Sequence, residues 1–430
     1  MAIPHKEVKR KKNRRKKGMD TIPLPHNKVS QLKDYLNLHY EIRLNKLTYD
    51  IEVRSFEEKQ FRVLDDFIFN DMFIDLLEKG YKYSAPMLER ILKSSYATPY
   101  NPVKDYFDKL PPYDGYDYIK DLAATVEIED LSSENIQLKD LWLPYLKKWL
   151  VASASGIIAH GTNHTCLILV GAQGKGKTTW LNKLCPSSLK DYLVCSHINP
   201  TLTDQNTNNY LAEKWFVNID DQLETIFGKD FNSMKAIITT PKVTNRKVYA
   251  RITKTRPRIC SFMGSVNNPK FLSDTEKRRY LVFSVKDVDY QHTVDMDKVW
   301  AQAAYMIRQE SFDYWFSREE IDVLNKVNEI YRQSSLEEEW LSKLYMPCSP
   351  SDPKAHFMMA SEMLSQMNDY SGLRLSIKRL SQAMDKMGFG NPQSKRLNNT
   401  GPRKVYPVRF ITDKHENQLQ SDLKKSFNLS

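Results

Sequence analysis

The sequence is poor in glycine and cysteine, and it has no long apolar run. Of its 430 residues, 14 are glycine and five are cysteine. The cysteines, at positions 166, 185, 195, 260 and 348, form no C-x-x-C pair, which argues against a disulfide or zinc framework and predicts reduced, mostly buried thiols. Apolar runs such as "TCLILV" and "YLVFSV" are far shorter than the roughly 20 residues of a membrane span, so we expect no membrane partner.

The N-terminus lacks the apolar segment of a secretion signal, so we expect a cytoplasmic protein. The formal net charge is +11, but residues 6–17 hold nine basic residues and one acid, a net of +8. This stretch has no apolar periodicity, which predicts a disordered basic tail. The tail could solubilise the chain or act as an electrostatic arm for DNA or RNA, and the sequence leaves both alternatives open.

Apolar periodicity divides the body of the chain. Helical patterns such as "VLDDFIFNDMFIDLLEKG", with one extended candidate, "LTYDIEVRSF", precede a region where short β-rich runs alternate with helical ones. That alternation predicts an α/β domain around a mainly parallel sheet. The predicted organisation is a basic tail (1–28), a helical N-terminal domain (29–140), the α/β domain (141–310), a helical linker with a winged-helix-like domain (311–412) and a polar tail (413–430).

The glycines are concentrated in one stretch, "LILVGAQGKGKTTW", where an apolar strand meets the pattern G-x-x-x-x-G-K-[ST]. Glycines there let backbone N–H groups turn inward around phosphates, and the following helix adds the partial positive charge of its N-terminus. Lys177, which we expect to face solvent, would reach the β- and γ-phosphates of ATP, and the Thr178 hydroxyl would bind Mg²⁺. The predicted nucleotide-binding residues are Gly171, Ala172, Gln173, Gly174, Lys175, Gly176, Lys177, Thr178 and Thr179.

Paired acids follow the apolar run "WFVNIDD". In a parallel sheet the carboxyl end of this strand lies beside the glycine-rich loop, where carboxylates can hold Mg²⁺ and orient the attacking water. We assign Asp220 to Mg²⁺ and Asp221 to the water. Glu224 takes the place of Asp221 if the chain turns into a helix there.

Two later features would complete a hydrolytic site. Asn267, at the end of "RICSFMGSVNN", could contact both the γ-phosphate and the water, although "NNP" is also a turn signal. Arg278 and Arg279 precede the run "YLVFSV". Either could be an arginine finger for a neighbouring subunit, the alternative being a solvated strand edge.

The order of glycine-rich loop, paired acids, basic segment, strand with terminal asparagine and paired arginines resembles the superfamily 3 helicases of viruses and mobile elements. More narrowly, it resembles the virulence-associated protein E (VapE) family of phages and integrated bacterial elements, and "YLNLHYEIRLNKLTYDIEVR", "TPYNPVKDYFDKL" and "LKKWLVASAS" agree. The similarity covers roughly residues 30–300. It implies an AAA+-like P-loop ATPase in the bacterial cytoplasm, a homo-hexameric ring, and a helicase or replication role with ATP and Mg²⁺.

A basic segment, "KVTNRKVYARITKTRPR", lies where superfamily 3 helicases place a DNA-gripping hairpin. It has seven basic residues and no acid. A solvated charged face is the alternative. The candidate DNA contacts are Lys242, Arg246, Lys247 and Arg251 for phosphates and Tyr249 for base stacking.

The C-terminal region has the pattern of a winged helix. "ASEMLSQM" and "SIKRLSQAMDKMGF" suit two helices, the second with Ser376 as N-cap, and "SKRLNNTGPRKVYPVRFI" suits a wing hairpin turning at "NNTG". Winged helices also dock proteins, so DNA binding is one of two alternatives. The candidate DNA contacts are Lys378, Arg379 and Gln382 on the helix and Arg396, Arg403 and Lys404 on the wing.

Two functions are consistent with these patterns. One is an ATP-driven helicase that binds single-stranded or forked DNA, translocates on the single strand and opens the duplex, with priming supplied by a separate primase or replication protein. The other is a DNA-bound ATPase switch, in regulation or phage interference, that does not unwind DNA.

Overall fold

The computed structural model describes residues 27–133, 136–220, 222–225, 229–245, 254–272, 278–396 and 401–411. The predicted polar tail, and all of the predicted basic tail except its last two residues, lie outside these ranges. No helix in the described ranges has the length and apolar character needed to cross a bilayer. The chain forms two compact units, Met1–Tyr106 and Phe107–Ser430.

The first unit combines helices with a small sheet. In the part that the structure describes, the strands have the order β3-β2-β1-β4, with β1 and β4 parallel and the other pairs antiparallel. The elements are α1 (Lys28–His39), β1 (Tyr40–Asn45), β2 (Ile51–Ser55), β3 (Arg62–Val63), α2 (Asp66–Glu78), α3 (Ala85–Leu92), β4 (Thr98–Tyr100) and α4 (Pro102–Lys109), which continues into the second unit.

Helices α1, α2 and α3 pack with the sheet around one apolar cluster. Leu36, Leu76 and Leu88, one from each helix, meet Val53 of β2 there. The extended candidate of the sequence analysis contains β2, but the expectation of a helical domain did not include a sheet. Strand β1 follows α1 directly, with no glycine or proline between them to mark the change.

The second unit holds the remaining elements. They are α5 (Tyr118–Ala124), β5 (Val126–Ile128), β6 (Ser132–Ser133), β7 (Ile136–Gln137), α6 (Leu138–Ile158), β8 (Cys166–Val170), α7 (Lys177–Lys183), a 3-10 helix (Ser187–Tyr192), β9 (Leu193–Cys195), α8 (Gln205–Glu213), β10 (Phe216–Asn218), α9 (Gln222–Thr225), α10 (Lys229–Thr239), β11 (Lys242–Asn245), β12 (Lys254–Pro257), β13 (Ser261–Val266), β14 (Tyr280–Val288), α11 (Met296–Arg308), α12 (Arg318–Asn328), a second 3-10 helix (Glu329–Tyr331), α13 (Leu336–Leu344), β15 (Tyr345–Pro347), β16 (His356–Met358), α14 (Ala360–Ser371), α15 (Ile377–Lys386), β17 (Gln393–Arg396) and β18 (Pro402–Phe410).

A central sheet organises this unit and confirms the predicted mixed α/β class. Within the described residues its order is β5-β14-β8-β13-β10-β9, and β5 alone is antiparallel to its neighbour. Every residue of β8 and of β13 is buried, as expected for parallel strands covered on both faces. The parallel strands therefore share an amino edge, where each begins, and a carboxyl edge, where each ends.

Tryptophan side chains fill the core beside the sheet. Trp149 of α6, Trp215 and Trp300 of α11 are fully buried. The Trp149 ring stacks on Phe216 of β10 at 5.9 Å between centroids, and the rings of Trp215 and Trp300 are 4.6 Å apart. This packing fixes α6 and α11 against the strands that carry the site.

The C-terminal region contains α13, α14, α15 and a small antiparallel sheet. The two predicted helices are present as α14 and α15, and Ser376 occupies the N-cap position of α15 without a side-chain capping bond. The predicted hairpin is present as β17 and β18, while its turn at 397–400 lies outside the described residues. Strands β15 and β16, which also pair with β18, were not predicted.

Candidate functional site

The glycine-rich loop, residues 171–176, lies at the carboxyl edge of the central sheet. It leaves β8, which pairs with β13 on one side and β14 on the other, and it leads directly into α7. Gly174 and Gly176 have φ angles of +85° and +77°, a backbone region that side chains with a Cβ rarely adopt. The glycines are concentrated in this loop because its backbone needs positive φ angles.

Lys177 is held inside the loop. Its side chain is 5% exposed, and Nζ donates to the carbonyl oxygens of Gly171 at 2.7 Å and Ala172 at 2.9 Å and to Oδ1 of Asn267 at 3.1 Å. The expectation that this lysine faces solvent is therefore wrong. The ammonium group lies at the centre of the loop because the loop's own carbonyls curl around it.

Three side-chain oxygens meet beside the loop. The Thr178 hydroxyl donates to Oδ1 of Asp220 at 2.9 Å, the Ser265 hydroxyl donates to the same carboxylate oxygen, and the two hydroxyl oxygens are 3.0 Å apart. Oxygens of this kind are the ligands that Mg²⁺ prefers. Ser265 was not predicted, although a serine near the end of the buried strand β13 was a visible signal.

Within the described residues, no group of three or more His, Cys, Asp or Glu side chains is placed to hold a metal. The donor set at the loop is therefore one carboxylate with hydroxyl oxygens. It fits Mg²⁺, which is commonly held by one or two carboxylates together with the phosphates of its substrate.

Glu224 lies at the end of β13. The chain turns into the short helix α9 after Asp220, and Oε1 of Glu224 accepts hydrogen bonds from the backbone N–H groups of Asn267 and of Asn268, the latter at 2.9 Å. This geometry meets the condition under which Glu224 was the alternative acid. Asp221, the acid first assigned to the water, lies outside the described residues.

A pocket of about 390 Å³ is lined by most of the loop together with Lys177, Thr178, Asp220, Ser265 and Asn267, and it includes a tyrosine that was not predicted. Tyr290 follows β14 and lies against Gly176, where a Cβ would overlap its ring. No local sequence signal marked it, because 114 residues separate it from Gly176. The pocket is lined by Gln173, Gly174, Lys175, Gly176, Lys177, Thr178, Thr179, Asp220, Ser265, Asn267 and Tyr290.

The paired arginines lie at the amino edge instead. They immediately precede β14, whose Tyr280 pairs with Cys166 at the start of β8 and whose Ser284 pairs with Val170 at its end. Arg278 is exposed, and both arginines line a separate pocket of about 280 Å³. Its lining is Ala152, Thr162, Asn163, His164, Thr165, Thr239, Arg278, Arg279, Tyr314, Trp315, Phe316 and Ile321.

The sequence matches the model of the virulence-associated protein E-like domain over residues 112–333, which is more than half of the chain. The chain belongs to the virulence-associated protein E-like family. This confirms the resemblance given in the sequence analysis. No curated protein matches the sequence significantly.

This virulence-associated protein E-like chain is also similar to solved structures. The apo C-terminal region of NrS-1 shares 12% identity and a TM-score of 0.47, with 88% of this chain and 98% of that one covered. Cch of SCCmec type IV, described as an active helicase, shares 9% identity and a TM-score of 0.36, with 88% and 94% covered. At these identities and TM-scores the likenesses show neither the activity nor the partners of this chain.

The two ends of the basic segment of the virulence-associated protein E-like domain form paired strands. Strands β11 and β12 pair antiparallel, and Lys242 is exposed. Arg256 is buried and its Nη1 donates to Oε1 of Glu213 at 3.0 Å, while Arg258, 1% exposed, donates to the carbonyl oxygen of Ile237 at 2.9 Å. Part of the charge run is thus structural. Arg246, Lys247, Tyr249 and Arg251 lie outside the described residues.

The predicted DNA contacts of the C-terminal region are all exposed. Lys378, Arg379 and Gln382 lie on α15, Arg396 on β17, and Arg403 and Lys404 on β18. Nothing in the described residues links these side chains to the pocket at the carboxyl edge, so they form a separate candidate surface.

Proposed function

We propose that this protein is an ATP-driven DNA helicase or replication ATPase of a phage or mobile element, with an AAA+-like P-loop core that works as a ring of six copies on single-stranded DNA. The observation that carries the proposal is the convergence of Lys177, Thr178, Asp220 and Asn267 on one pocket at the carboxyl edge of the sheet. Carboxyl edges are where open α/β sheets bind ligands, and a glycine-rich loop before a helix suits phosphates.

The ammonium of Lys177 would bind the β- and γ-phosphates of ATP. It already has carbonyl and amide oxygens around it, so phosphate oxygens can replace partners of the same chemistry. The oxygens of Thr178 and Asp220 would hold Mg²⁺, with Ser265 fixing the orientation of the carboxylate. Bound Mg²⁺ would neutralise the charge that develops on the transferred phosphoryl group.

An acid must also orient the attacking water. Glu224 is a candidate because its carboxylate lies at the backbone of Asn267, whose side chain lines the pocket. Asp221 is the other candidate, from its position next to Asp220. We propose Glu224 for this role, with Asn267 as the sensor that contacts the water and the γ-phosphate.

The position of the arginines supports a finger that acts on a neighbouring copy. Strand β14 runs beside β8 from Tyr280 to Ser284, so at 3.3 Å per residue at least about 13 Å separates the arginines from their own loop. Arg278 or Arg279 would therefore complete the site of another subunit, so hydrolysis would require neighbouring copies, as a ring provides.

DNA contacts are proposed at the hairpin of β11 and β12 and at α15 with the β17–β18 wing of a winged-helix-like domain. The exposed charges at Lys242, Lys378, Arg379 and Arg403 support these surfaces. The burial of Arg256 and Arg258 instead favours the second candidate, a DNA-bound switch, because it leaves fewer cations of the segment for translocation.

A forked DNA duplex tests the proposal. Purified protein should displace the strand with ATP and Mg²⁺ and should not do so without ATP. If DNA stimulates ATP hydrolysis but no strand is displaced at any protein concentration, the switch replaces the helicase. If no ATP is hydrolysed, with or without DNA, both candidates fail.

A further inference from the structure

Tyr290 is an aromatic residue at the surface of an otherwise polar pocket. Its side chain lies against Gly176 and yet the residue remains 40% exposed. Gly176 meets two requirements at once, a φ of +77° and room for this ring. The lining of the pocket thus combines one aromatic side chain with groups that are phosphate-binding or metal-binding in type.

The segment that carries Tyr290 is fixed to the helix that follows the loop. Nζ of Lys183, on α7, donates to the carbonyl oxygens of Tyr290 at 3.1 Å and His292 at 2.7 Å. The backbone N–H of Asp289 donates to the carbonyl oxygen of Thr125 at 2.8 Å. Because α7 begins at Lys177, these contacts hold the backbone that carries the ring in a set position relative to the loop.

A ligand that fills such a pocket is anionic at one end and aromatic at the other. We infer that Tyr290 is a specificity-determining residue, on whose ring the base of a nucleotide stacks while its phosphates occupy the loop. This inference rests on the proposed function, since it concerns the same site. Stacking of a base on an aromatic side chain raises the affinity for a nucleotide by a measurable amount. An inorganic polyphosphate has no base, so the ring should not affect its affinity.

Equilibrium binding of two probes, ADP and inorganic pyrophosphate, each with Mg²⁺, separates this role from a purely structural one. Tyr290→Ala and Tyr290→Leu should weaken ADP binding by roughly 5- to 150-fold and leave pyrophosphate binding within about twofold. Tyr290→Phe should bind ADP as the wild type does, because its ring remains. Tyr116→Ala, at an exposed tyrosine outside the pocket, is the matched control and should change neither affinity.

Leucine still packs on Gly176, so Tyr290→Leu remains informative if the alanine variant fails to fold. The inference is overturned if Tyr290→Leu binds ADP normally, or if it loses ADP and pyrophosphate by the same factor, which would mean that the ring only shapes the loop. A wild-type protein that binds neither probe would instead contradict the proposed function. The two failures are therefore distinguishable.

Discussion

The two edges of the central sheet differ in chemistry. The carboxyl edge has a pocket of mixed hydroxyl, carboxylate, amide and ammonium groups around the glycine-rich loop. The amino edge has a pocket of aromatic side chains, Tyr314, Trp315 and Phe316, with Arg278 and Arg279 at its lining. Groups suited to binding a nucleotide and groups suited to stabilising its transferred phosphoryl group thus lie at opposite ends of the same strands.

On the proposed function, this separation means that one copy of the chain would hold an incomplete hydrolytic site. Strand pairing fixes the distance, because residues Tyr280 to Ser284 of β14 pair in parallel with every residue of β8. Joining the carboxyl edge of one copy to the amino edge of the next would bring the two sets of groups together. A repeated contact of this head-to-tail kind closes into a ring when its rotation allows.

The largest effect is expected at the carboxyl edge, from Lys177→Ala. Loss of the ammonium should slow ATP hydrolysis by about 100- to 1,000-fold, as for other groups that stabilise developing charge. It should also lower the free energy of unfolding by about 1.5–3 kcal/mol, because a buried charged donor with three acceptors is lost. Phosphate release and chemical denaturation measure the two effects.

The control for that variant is Lys93→Ala, which removes an exposed lysine paired with Glu89 in the first unit. It should change neither quantity. Normal turnover by Lys177→Ala would show that the pocket at the carboxyl edge is not the hydrolytic site.

Glu224→Gln should slow hydrolysis by about 100-fold while nucleotide binding persists. The amide oxygen can still accept from the backbone N–H groups of Asn267 and Asn268, so the local geometry should survive. Single-turnover phosphate release, with ADP binding measured in parallel, tests this. If Asp221→Asn alone stops hydrolysis and Glu224→Gln does not, the water-orienting acid is Asp221.

The paired strands β11 and β12 lead into the start of β13, at the amino edge, and their DNA binding can be tested by salt dependence. Replacing Lys242, Arg246 and Lys247 with Ala should reduce the slope of log K against log salt for single-stranded DNA by about 2, at roughly 0.7 per lost phosphate contact. Basal ATP hydrolysis should persist because the loop is unchanged. A triple replacement of Lys93, Lys139 and Lys286, which are exposed and paired elsewhere, is the control. An unchanged slope in the hairpin variant would assign DNA binding to another surface.

The smallest effect concerns the thiols. Cys166, Cys185 and Cys260 are buried, and burial raises the pKa of Cys185 to about 12 and that of Cys260 to about 11. At pH 8 these groups are almost entirely protonated, and only the thiolate reacts. Burial also raises the pKa of Cys195 and of Cys348, but Cys195 is exposed and Cys348 half-buried, so a chromogenic disulfide reagent should label only these two quickly, and all five after denaturation. Rapid labelling of a third thiol in the folded protein would contradict the buried core.

Local patterns predicted the parts of the site that lie close together in sequence. The loop, Thr178 and the strand before Asp220 were all visible, because each depends on a short motif or an apolar run. Ser265 and Tyr290 were not predicted, because the fold brings them to the loop from distant parts of the chain, although the place of Ser265 near the end of β13 was a signal.

Charge was the least informative signal. Arg256 stands in an acid-free run, yet its partner Glu213 lies 43 residues earlier, and only the fold brings them together. Burial decides whether a basic residue binds DNA or supports the structure, and a charge run alone does not record burial.

The most direct test of the central claim is a mixture of two inactive variants. Asp220→Asn lacks the Mg²⁺ carboxylate but keeps its arginines, whereas a double variant, Arg278→Ala with Arg279→Ala, keeps an intact loop. If the arginine acts on a neighbouring copy, an equimolar mixture should form some sites that combine an intact loop with an intact arginine. The mixture should then recover about a quarter of the wild-type ATP hydrolysis, which is the share expected from random assembly of independent sites. A mixture no more active than the two variants measured separately would contradict the account.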